Sequence, residues 1–184
     1  MQTTTTELLN FLETKTRNII ESANHFEKMT SDELNAQPKE SSWSVLQCLE
    51  HLNLYGDYYL PAIESRILRA NTTPTSLVYK SGWLGNYFAN TMQVSSNGTM
   101  KRMKSPKDKI PASRLEATVI QRFIKQQEQM LRLLKLAEGV DLQKIKVPIS
   151  IAPFIKIQLG DCFRFVIHHN ERHMLQAQRA SNRA

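Results

Sequence analysis

Apolar residues in this chain recur at helical spacing over stretches far longer than a strand uses. Leu8, Leu12, Ile19, Ala23 and Phe26 stand three, four or seven positions apart, the repeat that stacks side chains on one face of an α-helix. No run of alternating strands joined by tight turns is visible, and glycine is scarce, at 6 in 184 residues. Helices must therefore supply most of the order.

Four long helices are expected. The first covers about Thr6 to Lys28, followed by a short helical turn in TSDELNAQP that Pro38 stops. The second opens at WSVLQCLEHL, where Ser44 and Gln47 fit a capping box. It carries Val45, Leu49, Leu52, Gly56, Tyr59 and Ile63 as one stripe to about Arg69, with a kink expected at Pro61. A long connection from Asn71 to about Pro111 follows, inside which Trp83 to Met92 reads as a helical piece packed across the others. The third helix is expected to start at Ser113, capped with Glu116, and to run through Val119, Phe123, Met130, Leu134 and Ala137 until Gly139. KIKVPISIAPFIKIQLGD is β-branched and broken by prolines, which suits an extended crossover or short hairpin. The fourth helix is expected to begin near Asp161 as N-cap and to continue to the end of the chain. The resulting fold class is all-α, a helical bundle whose interior is where such folds build metal and ligand sites.

A chain of this length buries most of its apolar surface around one core, so residues 1–184 are read as a single domain. With 41% apolar and 22% charged residues the composition is that of an ordinary globular protein. No stretch matches a membrane span or a secretory signal, and a cytoplasmic location is expected. Cys48 and Cys162 form no CxxC pair and read as small core residues. The net charge of +7 suggests nucleic acid at first sight. Its basic cluster, however, lies in residues 98–109, where Lys101, Arg102, Lys104, Lys107 and Lys109 have no interleaved aromatic residues. That pattern reads as a solvated loop, and nucleic acid is not the expected partner.

FRFVIHHNERHMLQ, from Phe163 to Gln176, carries three of the chain's 5 histidines. On the fourth helix, Cys162, Phe163, Phe165, Val166, Ile167, Met174 and Ala177 define an inward arc. His169 and His173 fall within it or at its edge. His168 falls opposite, grouped with Arg164, Arg172 and Arg179, and is read as solvated. His169 and His173 are one helical turn apart, so both rings can reach one ion. Buried imidazoles repel if protonated and, if neutral, hold a lone pair that needs a partner; a divalent cation satisfies both. An HxxxH pair alone is more often a pair of hydrogen-bonded core histidines, so a third ligand is needed. His51 is the candidate, on the flank of the second helix beside Tyr55 and Tyr58, while His25 reads as a surface residue.

WSVLQCLEHL with His51, together with the late HNERHMLQ, resembles the DinB-like superfamily, which includes YfiT-type metal-dependent hydrolases and bacterial thiol S-transferases. The resemblance implies a four-helix bundle of up-down-down-up topology, with a long connection between helices two and three, and often a homodimer. It also implies a divalent metal held by His51, His169 and His173, the set that helical facing selects, with no role for His168.

Three histidines leave coordination positions open, as catalytic more than structural sites do. Nickel or zinc is the expected ion, and iron or manganese also accepts imidazole. The expected chemistry is thiol S-transfer or hydrolysis, through a metal-bound thiolate or hydroxide and with a small-molecule substrate such as a low-molecular-weight thiol. The alternative is a non-catalytic metal-binding, stress-response or protein-interaction module. No catalytic base is legible, since Glu50 and Glu171 turn away from the histidine faces. Tyr55 and Tyr58 are expected along the approach to the metal, and Gln176 within reach of His173.

Overall fold

The apolar stripes close on one another in a mostly helical chain. The structure is a computed structural model describing residues 1–40, 42–71, 77–95, 98–100 and 103–182. Lys101 and Arg102 of the basic segment lie outside the described residues.

Helix α1 (Thr5–Phe26) starts at a capping box, with the Glu7 N–H donating to Thr4 Oγ1 at 3.1 Å and the Thr4 N–H to Glu7 Oε2 at 3.0 Å. The same device, from Thr30 and Glu33, starts the short α2 (Ser31–Asn35). Helix α3 (Val45–Leu68) is capped by Ser44 and Gln47 and passes through Pro61 without ending. Helix α4 (Trp83–Met92) has the bounds its sequence suggested.

Helix α5 spans Thr118–Ala137 and differs at its start from expectation, because Ala117 is the N-cap and no side chain caps it. Ser113 and Glu116 therefore form no capping box. Asn35 explains the difference: its side chain accepts from the Leu115 N–H at 2.9 Å and donates to the Leu115 carbonyl at 3.0 Å. Those bonds tie Leu115 to α2 instead of to a helical turn.

Two small antiparallel sheets accompany the helices. Strands β1 (Gln2–Thr4) and β2 (Val78–Lys80) pair with Gln2 opposite Lys80, an element the sequence did not suggest. Strands β3 (Lys146–Ile149) and β4 (Ala152–Gln158) form a short hairpin with an irregularity at Pro148 and Ile149.

Helix α6 (Leu159–Ser181) starts two residues before Asp161. Asp161 caps nothing on its own helix. Fully buried, it accepts from the Ser81 hydroxyl at 2.6 Å and the Gly82 N–H at 2.9 Å, and pairs with Arg164 at 3.1 Å. It thereby fixes the start of α4 against α6.

Helices α1 and α3 each pack on both α5 and α6, and α4 packs on α6. The core they share includes Leu12, Leu46, Leu49, Ile63, Phe123 and Phe163, all fully buried; each such side chain contributes about 1.5–3 kcal/mol of transfer free energy. Cys48 and Cys162 are buried free thiols whose pKa burial pushes up. No helix among the described residues is long and apolar enough to cross a membrane.

The crowding around α6 overturns one expectation. His168, Arg164 and Arg172 are buried, at 3%, 4% and 8% exposure. With α1, α3 and α4 all against it, α6 has no solvated face from Leu159 to Asn170. His168 is held by Glu171, 3.0 Å from its Nδ1, and Glu171 pairs in turn with Lys15 of α1.

Candidate metal centre

Two turns beyond its Ser44 cap, α3 presents His51 to the seam with α6, where His169 and His173 stand one turn apart. The helices bring all three rings together. His51 Nε2 lies 3.3 Å from His169 Nε2, and the candidate ligand atoms of the three residues all lie within 4.8 Å of one another.

Hydrogen bonds on the far sides of two rings set their tautomers. His51 Nδ1 is 2.7 Å from the Lys109 carbonyl, and His173 Nδ1 is 3.0 Å from Gln176 Oε1. Carbonyl oxygens only accept, so each Nδ1 carries the proton and each Nε2 lone pair is left for the shared space. His169 has no such support, since its buried Nδ1 lacks a hydrogen-bond partner among the described residues. If neutral His169 is protonated at Nδ1, that donor is stranded and two lone pairs oppose each other at 3.3 Å; if protonated at Nε2, the stranded atom is an acceptor.

The donor set fits a cation that accepts imidazole. Zinc–nitrogen bonds of about 2.0–2.1 Å in tetrahedral geometry put two ligand nitrogens about 3.4 Å apart, close to the 3.3 Å between His51 and His169. The protonation states fit as well. Burial lowers the His169 pKa well below the usual range, and repulsion from His173, His51 and Arg172 adds to it. Burial and the nearby His51 bring His173 down to about 3, against the opposing bond to Gln176. His51 is lowered, chiefly by burial. All three are neutral at pH 7, as metal ligands must be.

Aromatic rings enclose the cluster. Trp43 lies 4.7 Å from His51 and 5.6 Å from His173, Tyr55 lies 4.5 Å from His169, and Phe165 stacks on His169 at 6.1 Å. The histidines form one wall of a cavity of about 1110 Å³, whose other walls include Trp43, Tyr55, Gln176, Ile110, three methionines, Lys104 and Arg172. Tyr58 is not part of that wall; it packs edge-on against Tyr59. His25 is exposed near the end of α1, with its Nδ1 on the Glu21 carbonyl.

No acidic side chain lines the cavity among the described residues. Glu50 accepts from Arg122 and Asn53 on the α3–α5 side, and Glu171 is held by Lys15 and His168. The basic segment is only partly the solvated loop expected. Lys109 is half-buried, donates to the Leu54 carbonyl at 3.2 Å and orients His51 through its backbone. Sequence reasoning missed this because a backbone carbonyl has no side-chain signature. It also missed Trp43 and Arg172 as cavity walls.

The family model of the DinB superfamily matches residues 16–177, a span that holds all three histidines. The chain belongs to the DinB superfamily. Comparison with curated proteins finds no match, and neither does comparison with solved structures. Membership in the DinB superfamily and the clustered histidines agree with a protein that binds a divalent metal.

Proposed function

We propose that this DinB-superfamily protein is a divalent-metal-dependent enzyme that transfers a small thiol to an electrophilic acceptor, with hydrolysis as the neighbouring chemistry. The supporting observation is the convergence of three imidazoles whose candidate ligand nitrogens lie within 4.8 Å of one another while the Lys109 carbonyl and Gln176 hold the opposite nitrogens of His51 and His173. His51, His169 and His173 would hold the ion, nickel or zinc by ligand type, and the ion would supply Lewis acidity with coordination positions to spare.

The protein's own residues do the rest. The Lys109 carbonyl and Gln176 orient the ligand rings. Trp43, Tyr55 and Phe165 pack against the imidazoles and lower the local dielectric on those sides. Thiol transfer is favoured over hydrolysis by the lack of an acidic wall among the described residues. Activating water generally draws on a positioned carboxylate or free histidine as base, whereas a thiol is itself acidic enough to lose its proton to solvent once polarised. The packing of α1 and α3 each on both α5 and α6 supports the up-down-down-up four-helix reading.

Elemental analysis of the purified protein beside the triple variant His51→Ala/His169→Ala/His173→Ala tests the site. About one nickel or zinc per chain, absent from the variant, is the expected result. Equal metal in both would end the proposal. Thiol-dependent consumption of an electrophile that disappears in His169→Ala tests the reaction.

A further inference from the structure

Two segments far apart in sequence, residues 77–92 and 143–158, hold lysines but no aspartate, glutamate or arginine. The fold sets them side by side. Gly82, just before α4, sits so close to the end of β4 that an added Cβ would lie 3.4 Å from the Gln158 side chain. At the other end of the hairpin, the Tyr59 hydroxyl meets Ser150 Oγ at 3.3 Å and the Tyr59 ring packs on Phe165 at 5.7 Å, while Phe88 of α4 reaches the same Phe165 ring at 6.4 Å. Helix α4 and strand β4 therefore lie alongside each other on α6, in opposite directions. Gln143 joins β2 to this layer, accepting from the Lys80 N–H at 3.1 Å and donating to the Val78 carbonyl at 3.3 Å.

The outward side of the layer carries large apolar side chains and ammonium groups. Trp83 and Phe154 are each 85% exposed, and Leu77, Tyr87 and Ile151 are exposed as well. Trp83 and Tyr87 stand one turn apart on the side of α4 opposite its buried Gly85 and Ala89. On the hairpin, Phe154, Lys156 and Lys146 share a face, because Lys156 pairs with Pro148 and Lys146 with Gln158. The acids of neighbouring elements are occupied: Glu7 by Thr3 and Thr4, Asp141 by Lys144 and the backbone of Gln143, and Asp161 by Arg164 and Ser81. Exposed Lys80, Lys146 and Lys156 leave the face positive.

We propose that this face docks the protein on an anionic lipid bilayer, with Trp83 and Phe154 inserted at the boundary between headgroups and acyl chains and Lys80, Lys146 and Lys156 against the lipid phosphates. Rings that project this far enter a bilayer interface without needing a matching groove, and lysines beside them are drawn to anionic headgroups. A second copy of the chain fits worse, since a two-fold contact would set these lysines against their own counterparts. Nucleic acid also fits worse: Leu77 and Ile151 offer no ring for a base to stack on, and the two segments lack the arginine that grips phosphate with a planar fork. Such attachment is peripheral and uses no spanning helix.

The test sediments the full purified chain with vesicles of phosphatidylcholine and phosphatidylglycerol in equal parts, and with vesicles of phosphatidylcholine alone. Binding to the mixed vesicles should be at least about tenfold tighter. Trp83→Ser/Phe154→Ser should weaken it at least about tenfold, the scale of losing two inserted rings, and Lys80→Gln/Lys146→Gln/Lys156→Gln about a hundredfold, at about fivefold per lysine. Brominated acyl chains should quench the tryptophan fluorescence of the unaltered protein but not that of Trp83→Phe. Equal affinity for the two vesicle types, mixed-vesicle binding undiminished in either the ring or the lysine variant, or equal quenching with and without Trp83 overturns the proposal. Should the ring variant unfold, the quenching comparison decides. A protein that ignores vesicles but uses Trp83 and Phe154 to bind a single-stranded oligonucleotide, or to dimerise in analytical ultracentrifugation, overturns it in favour of that partner.

Discussion

Replacing His169 by phenylalanine should make the metal-free protein more stable and the zinc-loaded protein less so. His169 is 4% exposed and its Nδ1 has no hydrogen-bond partner among the described residues. A stranded buried polar atom costs about 1–3 kcal/mol. Phenylalanine removes that cost and keeps a ring against Phe165 and Tyr55, while the cavity beside the residue accommodates its extra atoms. Against this, His51 Nε2 loses its neighbour at 3.3 Å; because His51 lines the cavity, where water can replace that partner, the loss is about 0.5–1.5 kcal/mol if the contact is a hydrogen bond. The net expectation is a gain of about 1 kcal/mol without metal, or about 2–4 °C in melting temperature for a chain of this size. Zinc at a hundred times its dissociation constant adds about 2.7 kcal/mol to the unaltered protein and nothing to a variant that cannot bind it, so the order reverses. Urea unfolding followed by circular dichroism, in EDTA and in zinc, reads both halves. A variant less stable by about 2 kcal/mol or more in EDTA would show that the imidazole is fully bonded in the folded state. A zinc-induced shift that persists would refute His169 as a ligand.

Acid should weaken the metal-free protein through the same cluster. Unfolded histidine takes up a proton near its ordinary value of 6.5, while folded His173 stays neutral down to about 3 and His169 and His51 are also lowered. The unfolded chain therefore binds more protons across that window, and stability falls as pH drops from 6.5 toward 3, by at most about 1.4 kcal/mol per pH unit for each histidine. Urea melts at stepped pH should show a steeper loss than in the triple His→Ala variant, and parallel curves would contradict this. Gln176→Leu removes the acceptor on His173 Nδ1 and should weaken zinc binding about 10- to 100-fold with the fold intact, as measured by competition with a chelator; unchanged affinity would deny Gln176 its orienting role. Gly85→Ala would place a Cβ 2.4 Å from Asp161 Oδ2 and 2.5 Å from Asp161 Cβ. It should cost about 1–3 kcal/mol by forcing α4 off α6, and a thermal melt unchanged from the parent would refute that packing.

The helices and the ligand pair on α6 were legible because their signals are local. A stripe at helical spacing, the Ser44–Gln47 cap, and His169 one turn from His173 need only a few neighbouring residues to be read. Trp83–Met92 could be placed on the same basis, even inside a long connection. His51 was nominated by helical facing and by the resemblance to the DinB-like motif, but its meeting with α6 across more than a hundred residues was not visible in either helix alone.

Non-local contacts decided what was missed. His168, Arg164 and Arg172 look solvated on a helical projection, which allows one buried face, and become interior once α1, α3 and α4 surround α6. Ser113 and Glu116 have the letters of a cap, yet Asn35, distant in sequence, claims Leu115 between them. The Lys109 carbonyl that orients His51 belongs to a segment whose side chains advertise only charge. Periodicity states which face of a helix prefers to be buried. How many neighbours arrive to bury it, and whose backbone turns toward its polar groups, depends on the global packing, and the ligand tautomers and the cation in the cavity wall both follow from that packing.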